Sequence, residues 1–155
     1  MSRLIAVAGL TIAVALGSCV SQGEVSSGMA WSLHETPEEG VKLAYGAPSS
    51  DNVVLMMTCM RGTDTVRLST TAASGPPRIV LKSGRDSSTL IATAAPSGMG
   101  EGQYLEASAA PTDRALAGFA RNGELSLVRA GRSTAMTASG DQMGQVTKFF
   151  AACGA

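Results

Sequence analysis

The stretch Val53–Met60 (VVLMMTCM) constrains this chain more than any other part of it. A strand carries successive side chains to opposite faces, so a run that is apolar on both faces must be covered on both. The segment therefore reads as a central strand of a layered fold. It is followed by the break Gly62-Thr63-Asp64 and then by Thr65–Thr70, where Val66 and Leu68 alternate with Thr65, Arg67 and Ser69. That alternation predicts a half-buried partner strand. Trp31–Glu35 and Val41–Tyr45 precede the central run as two further strand candidates. Arg78–Ser83 alternates again, Gly84-Arg85-Asp86 turns the chain, Thr89–Ala94 returns, and Tyr104–Ser108 follows a glycine-rich loop. Glu124–Val128 and Ser133–Thr137 read as a hairpin around Arg129-Ala130-Gly131-Arg132.

Two segments depart from this pattern. In Arg114–Arg121, Leu116 and Phe119 share a side, Thr112 and Asp113 suit a helix start, and Asn122-Gly123 suits a stop. Asp141–Cys153 sets Met143, Val146, Phe149, Phe150 and Cys153 on one helical face, with Ser139 or Asp141 as the cap and Gly154 as the stop. The expected fold is mainly β, or α+β if the last helix is counted: an antiparallel sheet or small sandwich of about eight strands with a C-terminal helix. Aromatics are only 4% of the chain and much of its apolar fraction is alanine, so a core of small and aliphatic side chains is expected, one that a covalent constraint would help. Twelve basic residues balance twelve acidic ones, and a net charge of zero argues against a nucleic-acid partner.

The N-terminal segment carries an address. Arg3 precedes an apolar run, Leu4–Leu16, which is shorter than the roughly 18–20 residues of a bilayer-spanning helix and fits a secretory signal. Its end, Leu16-Gly17-Ser18-Cys19, resembles a bacterial lipobox. That resemblance implies cleavage before Cys19 and acylation of its thiol. Ser18 stands where such proteins favour Gly or Ala. The expected organisation is a signal peptide at 1–18, a lipidated Gly/Ser-rich tether at 19–30 and one domain at 31–155. With Cys19 assigned to lipid, Cys59 and Cys153 remain as one pair for an oxidising compartment, a structural staple between the central strand and the last helix. The expected location is the bacterial envelope, anchored and facing the periplasm. The lipoprotein resemblance further implies the outer membrane rather than the inner, because Val20 stands where an Asp retains some such proteins at the inner membrane. The strand cysteine, the hairpin Gly123-Glu124-Leu125-Ser126-Leu127 and the terminal Phe149–Cys153 spacing are also similar to small disulfide-bonded envelope proteins. Such layouts occur in the invasion-associated locus B family and in the VasI family of type VI secretion accessory proteins. This similarity implies an accessory role and transfers no site residue.

No catalytic set emerges. His34 is the single histidine, and neither Gly-x-Ser-x-Gly nor Ser-x-x-Lys is present. Glu38 and Glu39 follow Pro37 in what reads as a solvated turn, and Glu101 and Glu106 flank a loop and its strand. Met56, Met57, Cys59 and Met60 are soft donors, but alternation sends Met57 and Cys59 one way and Met56 and Met60 the other, so core packing accounts for them better than a metal. Gly98, Gly100 and Gly102 precede a strand rather than a helix, which leaves them a hairpin loop and not a phosphate cradle. No catalytic residue, metal or cofactor is therefore expected. Arg67, Arg78 and Lys82 take outward positions on strands that would be neighbours, with Arg85 at a turn, and together would form a basic face for an anionic envelope polymer or an acidic protein. The expected function is a non-enzymatic binding, accessory or scaffold module. The alternatives are an inhibitor of a secreted enzyme (a protease or a lysozyme), for which Ser97–Gly102 looks too rich in glycine, and a hydrolase of unrecognised type.

Overall fold

A computed structural model describes residues 28–98 and 101–154. The segment expected to be a signal peptide, Cys19 and most of the expected tether lie outside the described residues. Among the described residues ten strands form two antiparallel sheets. The larger has the order β1 (Ala30–Thr36), β2 (Gly40–Gly46), β3 (Val53–Cys59), β4 (Val66–Ala72), β8 (Gln103–Ala109), β7 (Thr93–Pro96). The smaller has the order β10 (Arg132–Ala135), β9 (Ser126–Arg129), β5 (Arg78–Ser83), β6 (Asp86–Ile91). Two helices, α1 (Arg114–Asn122) and α2 (Asp141–Ala152), complete the domain. The mainly β class and the C-terminal helix agree with the sequence, and β3 lies inside its sheet as expected. The expected cover on both of its faces is not found, because Leu55, Met57 and Cys59 are buried while Val54, Met56 and Thr58 on the outer face are only half-buried. Among the described residues no helix is long and apolar enough to cross a membrane.

The count of strands exceeds eight chiefly because the run Thr89–Ala94 divides. Its first half ends β6 at the edge of the small sheet, and its second half starts β7 at the edge of the large one. The joint is Ala92, which is buried and gives its N–H to the carbonyl of Pro77. One extended segment thus serves both sheets, a partition that its side-chain alternation does not encode.

The inner face of the large sheet is covered in two ways. At the β8 end it meets β5 and β6, and at the β1–β2 end it meets α2. Leu43, Leu55, Met57 and Leu68 from the large sheet, Ile79, Leu81 and Leu127 from the small one, and Leu116, Phe119, Val146 and Phe149 from the helices form a single buried cluster. The core is not merely aliphatic. Of the chain's one Trp, two Tyr and three Phe, only Tyr104 stands outside one aromatic assembly. The Trp31 ring lies 4.8 Å from Phe119 and 5.2 Å from Tyr45, Phe119 lies 6.1 Å from Phe150, and Phe150 lies 5.3 Å from Phe149. The indole N–H of Trp31 donates to the Met136 carbonyl at 3.0 Å, so its one polar group is satisfied in the core.

The helix ends show how local chemistry sets position. Asp113, not Thr112, is the N-cap of α1, and its carboxylate accepts from the Ala115 amide. The hydroxyl of Ser88 on β6 donates to the same carboxylate and accepts from the same amide, so the cap also fixes α1 to the small sheet. Gly123 ends α1 in the left-handed conformation. The start of α2 has no side-chain cap: Gly140 holds that position, and neither Ser139 nor Asp141 supplies a capping bond. The far end of α2 is held instead by Cys153, bonded to Cys59 with a Cα separation of 5.8 Å, and by the Gly62 amide, which donates to the Ala152 carbonyl.

Two stability predictions follow from this packing. The double substitution Cys59→Ala/Cys153→Ala opens a link across 94 residues, and chain-entropy reasoning sets the expected loss in urea unfolding at up to about 4–5 kcal/mol; a loss below about 1 kcal/mol would show that packing alone holds α2. Gly118 sits inside α1, where Ala is ordinarily better by about 1 kcal/mol. Here a methyl would stand 2.6 Å from Ser83 Oγ and 2.9 Å from its Cβ, and overpacking of this kind costs about 1–3 kcal/mol. Gly118→Ala is therefore expected to lower the unfolding free energy, and a gain in stability would refute the tight α1–β5 contact.

Candidate functional site

Because the core takes the inward side chains, the outward side chains of the large sheet are left to form a surface. Strand register fixes which of them are neighbours. Met56 on β3 is opposite Ser69 on β4, and Ser69 is opposite Glu106 on β8. One row over, Thr58, Arg67 and Ser108 align, and Thr71 is opposite Tyr104. This face is not flat. Two depressions of about 780 Å³ and 600 Å³ adjoin on it and share Met56, Ser69 and Tyr104 in their lining. They make one groove across the sheet.

The larger basin runs towards Ala72, Ala95 and Pro96, with Asp51 and Glu101 on its lining and Arg129 beside them. Arg129 belongs to the small sheet, yet its guanidinium donates to the carbonyl of Thr71 on β4 and bridges the two sheets at this end. Half-buried there, it is held below the usual guanidinium range by desolvation, although an arginine in a protein keeps its charge. The smaller basin runs towards the β1–β2 turn, where Glu38 and Glu39 stand, and towards Met60 and Thr63 after β3. Its cations are matched to acids: Lys42 to Glu39 at 3.1 Å and Arg67 to Glu106 at 3.6 Å. Exposed pairs of this kind are worth at most about 1 kcal/mol each, so a ligand carrying either charge can replace one partner at little cost. An apolar floor of Met56 and Tyr104, rimmed by hydroxyls and exchangeable ion pairs, suits an extended polar chain lying across the strands.

The residues singled out in the sequence distribute as follows. His34 is exposed on β1, across from Lys42. Met57 and Cys59 point inward and are buried, Met56 points outward, and Met60 is 49% exposed; Cys59 is engaged in the disulfide. Among the described residues no three His, Cys, Asp or Glu side chains converge as a metal site. The loop after β7 closes through the Ser97 amide donating to the Gly102 carbonyl, and Gly100 falls outside the described residues.

The expected basic face requires correction. Arg67 lies on β4 of the large sheet, Arg78 and Lys82 lie on β5 of the small one, and Arg85 lies at the β5–β6 turn. β4 and β5 are not neighbours, because the chain leaves one sheet for the other between them. Arg67 belongs to the groove and is paired with Glu106, whereas Arg78, Lys82 and Arg85 belong elsewhere. Tyr104, Glu106 and Arg129 were not foreseen as partners in one surface. Alternation along β8 places Tyr104, Glu106 and Ser108 on one side, which was a usable signal, but nothing local ties Arg129 to Thr71.

A further ion pair lies outside the groove, where Glu35 shares the inward side of the large sheet with its register partner Val41. Arg61, just after β3, grips Glu35 at the end of β1, with Nη2 at 2.8 Å from Oε2. The hydrogen bond from Arg61, joined by its charge, outweighs residual desolvation and holds Glu35 below the ordinary 4.5. A depressed carboxylate stabilises the fold above its ordinary value, and that contribution disappears as pH falls through the lowered one. Arg61→Gln is expected to return Glu35 towards 4.5 in a carboxyl NMR titration. An unchanged titration would mean that the pair does not persist in solution.

The chain was compared with protein-family models, with curated proteins and with solved structures, and none of them matches it.

Proposed function

We propose that this chain is an exported, lipid-anchored envelope protein that acts without catalysis, holding another envelope component in the groove of its large sheet. The observation that carries the proposal is the groove itself: two adjoining basins joined over Met56, Ser69 and Tyr104. The lipobox-like Leu16-Gly17-Ser18-Cys19 supplies the address, and the Cys59–Cys153 bond suits an oxidising compartment such as the periplasm. An anchored domain with a shallow, mixed polar groove is suited to weak, repeated engagement of a neighbour, because tethering raises the local concentration of both partners.

The test is in-cell photo-crosslinking from position 104 in the full chain, with position 89 on the opposite sheet as control. One stoichiometric envelope partner is expected from position 104 and not from position 89. Cys19→Ala is expected to release the chain from the membrane fraction and to abolish the capture. Tyr104→Ala is expected to weaken partner binding about tenfold or more, the size of a central contact at an interface. Equal capture from both positions, or undiminished binding by the Tyr104 variant, would remove the groove as the binding surface.

A further inference from the structure

The described residues expose three large hydrophobic side chains. Met60 and Tyr104 line the groove, and the third, Ile91, is 89% exposed on the other sheet. Ile91 ends β6 directly opposite Arg78 on β5, and Lys82 lies four residues along the same outward side. The rest of that face is made of Val80, Val128 and small or hydroxylated residues such as Ser87, Thr89 and Ser133. No outward position on the four strands carries an acid. Asp86 and Glu124 flank the far end, and Asp86 is already engaged by Arg121 at 3.3 Å. The contrast with the groove side is sharp: there Lys42 and Arg67 each have a carboxylate partner, whereas among the described residues no ion pair is formed by Arg78, Lys82 or Arg85. In a chain of zero net charge, positive charge has been left uncompensated on one sheet face beside a bare aliphatic side chain.

We infer that the outer face of the small sheet rests on an anionic phospholipid surface, with Arg78, Lys82 and Arg85 at the phosphates and Ile91 in the headgroup region. The inference rests on the lipid-anchor reading, since it assigns the anchored domain an orientation. Several observations favour a bilayer over other anionic partners. Four short strands about 4.8 Å apart make a face of only roughly 300 Å², well under the roughly 800 Å² per partner of a stable protein interface. A polysaccharide in water would leave Ile91 exposed, whereas a headgroup layer takes up an aliphatic side chain together with its flanking cations. Covalent geometry also fits: only eight residues lie between Cys19 and Gly28, which confines the start of the domain to within about 30 Å of its lipid. At that range a weak face suffices, because the tether supplies the concentration. The two sheets close on one core, so their outer faces look opposite ways. A domain lying on Arg78 and Lys82 presents the Tyr104 groove away from the membrane.

The experiment compares partitioning of the full chain, as Cys19→Ala, onto phosphatidylglycerol-containing and onto neutral phosphatidylcholine vesicles. The apolar N-terminal segment is the same in every variant, so the ratio of the two affinities reads the charge of the docking face. Each cation near such a surface is worth about fivefold. Arg78→Gln/Lys82→Gln is therefore expected to lower the ratio about 25-fold, and Ile91→Ser to weaken binding to both vesicles. Arg114→Gln/Lys148→Gln removes the same net charge from the helices and is expected to leave the ratio unchanged. The inference is overturned if the two double variants fall equally, or if the face variant keeps the wild-type ratio. It is also overturned if that variant loses binding to soluble dextran sulfate but not to vesicles, which would make a polymer the partner. Acylation of Cys19 is read separately from the intact mass of the wild-type protein, so a missing anchor and an inert face give different results.

Discussion

The stacking of Trp31 on Phe119 is the contact from which the rest of this domain takes its arrangement. It joins the edge strand β1 to α1, and through Phe150 and Phe149 it reaches α2, so three elements distant in sequence meet at one place. The small sheet has only four strands and cannot cover six. Without the aromatic wedge, the inner face of β1 and β2 would be open to water. Trp31 also fixes its neighbours through polar contacts: its indole N–H donates to the Met136 carbonyl and its backbone N–H donates to Oε1 of Gln142. The disulfide then secures α2 at its far end, where the helix has left that assembly and lies beside β3.

This division of labour leaves the molecule two outer faces of different character. Opposite signs of charge are paired on the large sheet and unpaired positive on the small one. The difference follows from strand order rather than composition. Lys42 and Arg67 sit on strands whose neighbours or turns carry Glu, while β5 is flanked by β6 and β9, whose outward residues are Ser, Thr, Ile and Val. A protein with no net charge can still be strongly polarised, provided that its sheets sort the residues. The groove lies on the balanced face, and the unpaired cations lie on the other.

Much of the fold was legible because period-two patterning and turn chemistry are local. The central position of β3, the half-buried β4 and β5, the 130–131 turn and both helices could each be read from a window of a dozen residues. The candidate surfaces were less legible. Outward positions could be identified strand by strand, and Arg67, Arg78 and Lys82 were correctly placed on exposed sides. Joining them into one patch assumed that strands consecutive in sequence lie side by side, which fails between β4 and β5. The division of Thr89–Ala94 at Ala92 escaped for the same reason, since a strand that changes sheets keeps its alternation. Likewise the partner of Arg129 is a backbone carbonyl, which leaves no trace in composition or spacing.

By itself, then, the sequence determined what each segment is: its period, its buried side, its ends, and the two cysteines that remain once Cys19 is set aside. These properties depend on interactions within a turn or a pleat, over distances the local chain controls. Only the tertiary structure decided which segments are neighbours, and with that the groove over Met56 and Tyr104, the bridge from Arg129 to Thr71 and the separation of Arg67 from Arg78. Those outcomes depend on how two sheets and two helices share a limited core. No single segment contains that information, because burying the aromatic assembly and the aliphatic strands together is a property of the whole chain.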